Sequence, residues 1–522
     1  MQYIEEKIGS KYKNWVNGNV ILISAQTGTG KTSFILRTLL PFAKENGKHI
    51  LYFVNRRILK EQLEEELLYC PVREKTYIQL ETYQHIERKL SCMQSENKYM
   101  KFCEKYQKYD YIVCDEAHYF SSDSNFNTYT NLSYNWIRWM FSKKIRIFIS
   151  ATLDLVEQKI CNDVKDEGYF HDCCYDLAWR GRHSDNVVFL PNYKIIKYKS
   201  KRDYSYFACT EVVNPKELPA LVKTKKGKWL VFVDDIRFGK ELENDIKDKL
   251  KGTNDDYDSN VLFLTAEYNK VQETYNAVDE IAQKKCQSAK VLICTAVMEN
   301  GVTIKDRNVK NIAIGIDVED QFIQMLGRKR VDGDEQVNLY LLKKSKSHIM
   351  NRLYEVRQAK KLSDKCGIEI QRIQDIINIL NSNDELSMLD NKDPDLQWIF
   401  DEFWNGIKCE WNDIAWNSFL SKIYNSLYWK LDIIAKRNFM EHNEASWKIF
   451  YLYYSCFYAN LFSMRRIEYL CQYYNNLIQE FDMFGDNALV RRQLMWMGKN
   501  EEQVNQSIEE IGDSLFQASR NK

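Results

Sequence analysis

Near the amino terminus, the run Ala25-Gln26-Thr27-Gly28-Thr29-Gly30-Lys31-Thr32 has the residue types and order of a phosphate-binding loop. Gly28 and Gly30 let backbone amides turn toward phosphates with no Cβ in the way. Lys31 supplies a point charge for the β and γ phosphates, and Thr32 offers a hydroxyl to magnesium. Ala25 stands where many such loops have glycine. Further along, Asp115-Glu116-Ala117-His118 ends the apolar run Tyr111 to Cys114. A carboxylate at a strand end can hold magnesium, directly or through water, and its neighbour can orient and deprotonate an attacking water. Two adjacent acids after a strand are also common as solvated loop charges. The order of apolar run, phosphate loop, apolar run and Asp-Glu favours the chemistry.

Such a loop works only if a strand leads into it and a helix leads out. From Asn19 the pattern supplies this: strand Val20 to Ser24, helix Ser33 to Lys44, strand His49 to Val54 and helix Ile58 to Tyr69, with further strands at Tyr77 to Leu80, Tyr111 to Cys114 and Ile145 to Ile149. Strands alternating with helices predict a mostly parallel sheet, here an α/β domain over 1–153. Residues 154–190 are poorly periodic and are expected to connect. A second alternating series begins near Val187 and continues at Trp229 to Val233, Val261 to Leu264, Val291 to Cys294, Val309 to Ile314 and Val337 to Leu342, for a second domain over 191–345. In 346–522 the strand signals stop. Seven of the twelve tryptophans lie between Trp398 and Trp496, which favours a helical domain with an aromatic core over a platform for stacking bases.

At 522 residues, with 44% hydrophobic and 28% charged, the chain calls for several folded domains, and six prolines leave little room for a long disordered tract. The 74 basic and 73 acidic residues nearly cancel, so attraction to nucleic acid has to come from a local surface. The fourteen cysteines include no Cys-x-x-Cys pair and are expected to be reduced thiols of a cytoplasmic protein. Cys70, Cys92, Cys103 and Cys114 are too evenly spaced for an iron–sulfur ligand set. Residues 1–13 carry charge where a signal peptide needs an apolar run. Trp447 to Phe462 reads as a buried helix rather than a membrane span, so no membrane partner is expected.

At this point the chain resembles the superfamily-2 helicases and translocases of the DEAH/DExH-box kind, over residues 18 to 345. Beyond the two motifs above, Ser150-Ala151-Thr152 is similar to the family's third motif. Asn55-Arg56-Arg57-Ile58-Leu59-Lys60-Glu61-Gln62 and Thr82-Tyr83-Gln84 look like its segments that touch the nucleic-acid backbone. Lys228 to Asp235 resembles motif IV, Thr295 to Ile304 motif V, and Gln324-Met325-Leu326-Gly327-Arg328-Lys329-Arg330 motif VI.

The resemblance implies two tandem RecA-like parallel-sheet domains followed by an all-helical C-terminal domain, with ATP and Mg2+ as cofactors. It implies nucleotide contacts from residues 25–32, Gly301 and Gln324, and metal contacts from Thr32 and Asp115. Catalytic roles fall to Lys31, Asp115, Glu116, His118, Arg328 and Arg330. Asn55, Arg56, Thr82, Tyr83, Gln84 and Thr295 are the implied nucleic-acid contacts. The family usually has a second arginine where this chain has Val331, so Arg330 becomes the substitute finger, unless it pairs with Asp332 or Asp334 at the surface. No upstream adenine motif is recognisable, and Tyr12 and Trp15 favour packing over base stacking. The expected function is an ATP-dependent helicase or translocase on nucleic acid, DNA before RNA. An ATPase sensor that signals to a protein partner through the C-terminal helices, and a protein-moving ATPase, are the alternatives.

Overall fold

In this computed structural model the described residues are 3–69, 75–91, 101–125, 127, 130–164, 194–253, 260–265, 272–295, 303–331, 333–361 and 465–509. They hold two six-stranded sheets, parallel throughout. In the first, β1 (Val20–Ser24), β2 (Ile50–Val54), β3 (Ile78–Thr82), β4 (Tyr111–Cys114), β5 (Ile145–Ser150) and β6 (Ile195–Lys199) run in the order β3-β2-β4-β5-β1-β6. β2, β4 and β5 are buried along their whole lengths. A parallel sheet is covered on both faces, which is why these strands read as unbroken apolar runs. Their side chains alternate between two cores: Val20, Leu22, Phe53 and Ile112 enter one, while Ile21, Ile23, Tyr52 and Val113 enter the other.

The second sheet consists of β7 (Phe207–Val213), β8 (Lys228–Val233), β9 (Val261–Leu264), β10 (Val291–Cys294), β11 (Val309–Gly315) and β12 (Val337–Leu342), ordered β7-β12-β11-β8-β10-β9. Because every strand in a sheet points the same way, all the loops at its carboxyl ends share one edge, the edge at which open α/β sheets bind ligands.

The helix after the phosphate loop is interrupted. Lys31–Phe34 is α-helical, Ile35–Leu39 is a π turn, and Leu40–Glu45 resumes the α-helix. Pro41 lacks an N–H and its ring would crowd a regular preceding turn. The wider turn, with Leu40 N–H donating to Ile35 O, takes up that strain.

Several boundaries differ from the sequence reading. Residues 154–164, expected to be connector, are helical, and Leu153, Val156, Ile160 and Val164 join a core of the first domain. Strand β6, expected within the second domain, pairs with β1 in the first sheet. β6 and β7 are edge strands, partly exposed, and β6 is charged at alternate positions. They lack the continuous apolar run that marks a central strand.

The C-terminal region is helical where described. Its Tyr473, Tyr474, Leu477, Leu494 and Trp496 share a core with Leu230 and Ile312 of the second sheet and with Phe322 of the helix after β11. Residues 362–464 lie outside the described residues, and with them the helix expected over Trp447 to Phe462 and most of the aromatic stretch. Among the described residues no helix is long and apolar enough to cross a membrane. Cys103 and Cys114 are buried thiols outside any disulfide, with Trp136 Nε1 donating to Cys103 Sγ, and Cys70 and Cys92 lie outside the described residues.

Candidate active site

The phosphate loop leaves β1 at Ser24 and passes Gly28 (φ 95°) and Gly30 (φ 77°), both in the left-handed region that favours glycine. Ala25 N–H donates to Ser150 O, which anchors the loop to β5, and Thr29 Oγ1 donates to Gln26 O at 2.7 Å. Lys31 is buried, with Nζ donating to Ala25 O at 2.7 Å; burial lowers its pKa, and Glu116 and Asp115 oppose that shift. Gln26, expected at the nucleotide, lines the cavity at this loop, and its side-chain amide also holds the segment joining the two sheets: Nε2 donates to Asp203 O at 2.9 Å, and Oε1 accepts from Asp203 N–H at 2.7 Å.

Asp115 and Glu116 sit at the end of β4. The Tyr52 hydroxyl, on neighbouring β2, donates to Asp115 Oδ2 at 2.7 Å and also meets Thr32, so one hydroxyl ties together the two expected metal ligands. Burial, then the charge of Glu116, pushes the Asp115 carboxyl up to about 6. Glu116 has φ 48°, left-handed backbone that costs a non-glycine residue on the order of 1 kcal/mol. The bond from its own N–H to Asp115 Oδ1 at 2.9 Å and the Ala117 N–H to Ile149 O bond hold it there. Burial alone would raise the Glu116 pKa. His118, through its hydrogen bond and charge, and then Lys31 and Arg328, overcome this and hold the carboxyl below its ordinary value. His118 lies behind Glu116, with Nδ1 3.3 Å from Glu116 Oε2 and 3.0 Å from Ser150 Oγ.

The second sheet supplies the facing wall. After β11, the helix Glu319–Leu326 carries Gln324, which is completely buried. Gln324 was expected to contact the nucleotide. It is instead a cross-domain link: Nε2 is 3.3 Å from His118 Nδ1 and 3.3 Å from Thr152 Oγ1, while Oε1 accepts from Arg328 at 2.9 Å. Gly327 backs directly onto the phosphate loop, where a Cβ at this position would lie 2.5 Å from Thr27 Oγ1. A cavity of about 970 Å³ opens here, lined from the first domain by Gly28, Gly30, Lys31, Thr32, Asp115 and Glu116 and from the second by Lys285, Lys305, Arg328 and Arg330. The charges of Arg330 and Arg328 both lower the Lys31 pKa, and that of Arg328 also lowers the Glu116 pKa. Val331 also lines this cavity. Gly301 lies outside the described residues.

The donor set fits a nucleotide phosphate with its magnesium. Glycine-turned amides, a lysine and two arginines converge on one volume, a carboxylate and a hydroxyl share Tyr52, and Thr27 Oγ1 is buried without a hydrogen-bond partner at the loop. Tyr52 carries no local sequence signal, because its role arises only when β2 and β4 pair. Tyr12 and Trp15 pack on Phe34, and Trp15 is buried. At the rim of the cavity the aromatic neighbour of the loop is Tyr3, whose ring would lie 3.2 Å from a Cβ at Gly30.

The expected nucleic-acid contacts divide. Asn55 and Tyr83 are completely buried, and the Tyr83 hydroxyl donates to Asp115 O at 2.9 Å, so neither side chain meets solvent. Arg56 pairs with buried Asp123 at 2.7 Å and stays one-third exposed. Thr82 Oγ1 accepts from His85 N–H, Gln84 Nε2 donates to Asn55 O, and Thr295 is partly exposed after β10.

Two parallel α/β sheets with a phosphate loop on one and arginines from the other facing it define the class. Residues 4–155 match the family described as "Type III restriction enzyme, res subunit". No curated protein matches. Solved structures similar to the chain include the DEAH/RHA helicase HrpB of Escherichia coli, 13% identical over 65% of this chain and 42% of that one, with a TM-score of 0.37. Another is the DExH-box NTPase HrpB of E. coli, 13% identical over 62% and 39%, with a TM-score of 0.35. The chain thus spans about two fifths of those structures, and likeness at this level carries no argument about activity.

Proposed function

We propose that this chain is an ATP-dependent motor on nucleic acid, hydrolysing ATP between its two α/β domains. The observation that carries the reading is the cavity where the phosphate loop, Asp115 and Glu116 meet Arg328 and Arg330 of the other domain. In this reading Lys31 and the loop amides bind the phosphates, and Glu116, kept ionised by His118, accepts a proton from the attacking water. Arg328 and Arg330 neutralise charge building on the γ-phosphate. Mg2+ held by Thr32 and Asp115 would supply further neutralisation of the phosphate oxygens. Two walls from two domains make closure a condition of catalysis, which couples hydrolysis to movement. Arg56, Thr82, Gln84 and Thr295, at carboxyl strand ends and partly exposed, support contact with a nucleic-acid backbone.

The test is ATP turnover by the full chain with and without single-stranded DNA and RNA, alongside nucleotide affinity. Polynucleotide raises turnover, in a salt-sensitive way, DNA before RNA. Lys31→Ala loses most nucleotide binding, whereas Glu116→Gln binds normally and turns over about a hundredfold more slowly. Turnover indifferent to every polynucleotide removes nucleic acid as the track, and wild-type turnover in Glu116→Gln removes Glu116 as the base.

A further inference from the structure

The C-terminal half of the helix Glu319–Leu326 carries Gln324 against His118 and Thr152. The other end of the helix, together with the strand end leading into it, is held by residues more than a hundred positions away in the chain. Arg466, itself buried, donates Nη1 to Asp320 Oδ2 at 2.6 Å. Gln493 Nε2 donates to Ile316 O at 2.9 Å. The Tyr473 hydroxyl donates to Asp317 O, and the Tyr474 hydroxyl to Asp317 Oδ1 at 3.2 Å. Arg202, on the segment between the sheets, bridges Glu319 Oε1 at 2.7 Å and Trp496 O at 2.8 Å, and the Trp496 ring lies 5.5 Å from that of Phe322.

Four of these bonds have an ionised donor or acceptor, the class that is shorter and roughly twice as strong as neutral pairs. The backbone carbonyls of Ile316 and Asp317 fix the point at which the helix leaves β11. From Asp320 to Leu326 is six residues, roughly 9 Å of helical rise, and Gly327 and Arg328 follow directly in the turn. Over that distance a packed helix transmits displacement as a rigid body. Its far end carries Gln324, against His118 and Thr152, and then Gly327 against the phosphate loop and Arg328.

We propose that residues 466–496 of the C-terminal region are a positioning element of the ATPase, with Arg466 as the positioning residue that sets Gln324 and Arg328 against His118 and Glu116. The proposal rests on the reading of the cavity as an ATPase site. It gives the C-terminal region a place in the chemistry without touching the nucleotide, and makes it a route by which anything acting on that region alters turnover.

The experiment uses the full chain with Arg466→Ala, Arg466→Lys and Tyr473→Phe, the last removing only one hydroxyl. Hydrogen exchange of the amides over 323–330, thermal melting, and kcat and KM for ATP are measured on each. Expected are faster exchange over 323–330 by at least about fivefold and a kcat about tenfold lower with KM little changed in Arg466→Ala, since small misplacement of a catalytic group costs rate rather than binding. Arg466→Lys, which keeps a charge for Asp320, recovers part of both, and Tyr473→Phe gives a smaller change in the same direction. Unchanged exchange over 323–330 in Arg466→Ala and Tyr473→Phe overturns the proposal, as does unchanged kcat where wild type is active. If Arg466→Ala fails to fold, Arg466→Lys and Tyr473→Phe decide in its place. Wild type that hydrolyses no ATP refutes the ATPase reading instead, and the exchange measurement then judges the positioning alone.

Discussion

Gly327→Ala isolates the contact between the two walls of the cavity. Gly327 has φ −71° and ψ −9°, which alanine adopts freely, so the substitution is locally neutral or favourable to the preceding helix. The whole cost falls on Thr27, whose Oγ1, Cβ and Cγ2 would lie 2.5, 2.7 and 3.1 Å from the new methyl. The neighbour must give by close to 1 Å, and Thr27 sits on a loop whose Ala25 N–H is bonded to Ser150 O. Overpacking of this kind costs about 1–3 kcal/mol inside a single core. At a boundary between domains the cheaper response is to open the boundary, so the cost appears as a closed state about 5- to 150-fold less populated. The assay is ATP turnover against thermal stability, for Gly327→Ala, Thr27→Gly and the double variant. The single alanine variant is expected to lose about tenfold or more in kcat with little change in melting temperature. The double variant, which deletes all three colliding atoms, regains most of what was lost relative to Thr27→Gly. Turnover within about twofold of wild type in Gly327→Ala would refute the idea that these walls must meet as described.

Two other outcomes are expected. Arg330→Ala should lower turnover by about a hundredfold with little loss of ATP affinity, and Arg328→Ala should reduce both; steady-state kinetics with an independent binding assay decides, and turnover within about threefold in Arg330→Ala leaves Arg328 as the only finger. Asp115→Asn should stabilise the fold while abolishing hydrolysis. The folded carboxyl, pushed up to about 6, lies above its ordinary 3.8, so the cost of ionising it is fully present above pH 6 and gone below pH 4. The gain, on the order of 1–3 kcal/mol, should therefore appear in melting curves at pH 7.5 and fade through that window, and a gain independent of pH would contradict the assignment.

What could be read from the chain was local in sequence. The phosphate loop, the Asp-Glu pair and the motif VI arginines are contiguous runs, and central strands β2, β4, β5, β8, β10 and β11 announce themselves as apolar stretches because both faces are covered. Edge strands β6 and β7, covered less completely, carry no such mark, and the boundary between domains was misplaced because β6 belongs to a sheet begun 175 residues earlier. Tyr52, Tyr83 and Gln324 act through partners that only sheet pairing and domain contact bring near: Asp115 Oδ2, Asp115 O and His118. Their residue types, two neutral aromatics and an amide, advertise nothing. Tyr83 and Asn55 fall in runs that resemble nucleic-acid-contacting motifs, but burial gives their side chains internal rather than external work.

The clasp between Gln26 and Asp203 has a consequence for how far the domains can part. Residues 200–206 separate the last strand of the first sheet from β7, so an unpinned connection from Lys199 to Phe207 would reach roughly 28 Å when extended. With Asp203 fastened to the phosphate loop, only the steps from Asp203 to Phe207 remain, roughly 14 Å. Halving the tether shrinks the volume the second wall explores, and raises its effective concentration at the first, by roughly three- to eightfold. The same loop that would receive the phosphates thus keeps the opposing arginines on a short leash, and closure becomes a search over a small neighbourhood rather than an encounter.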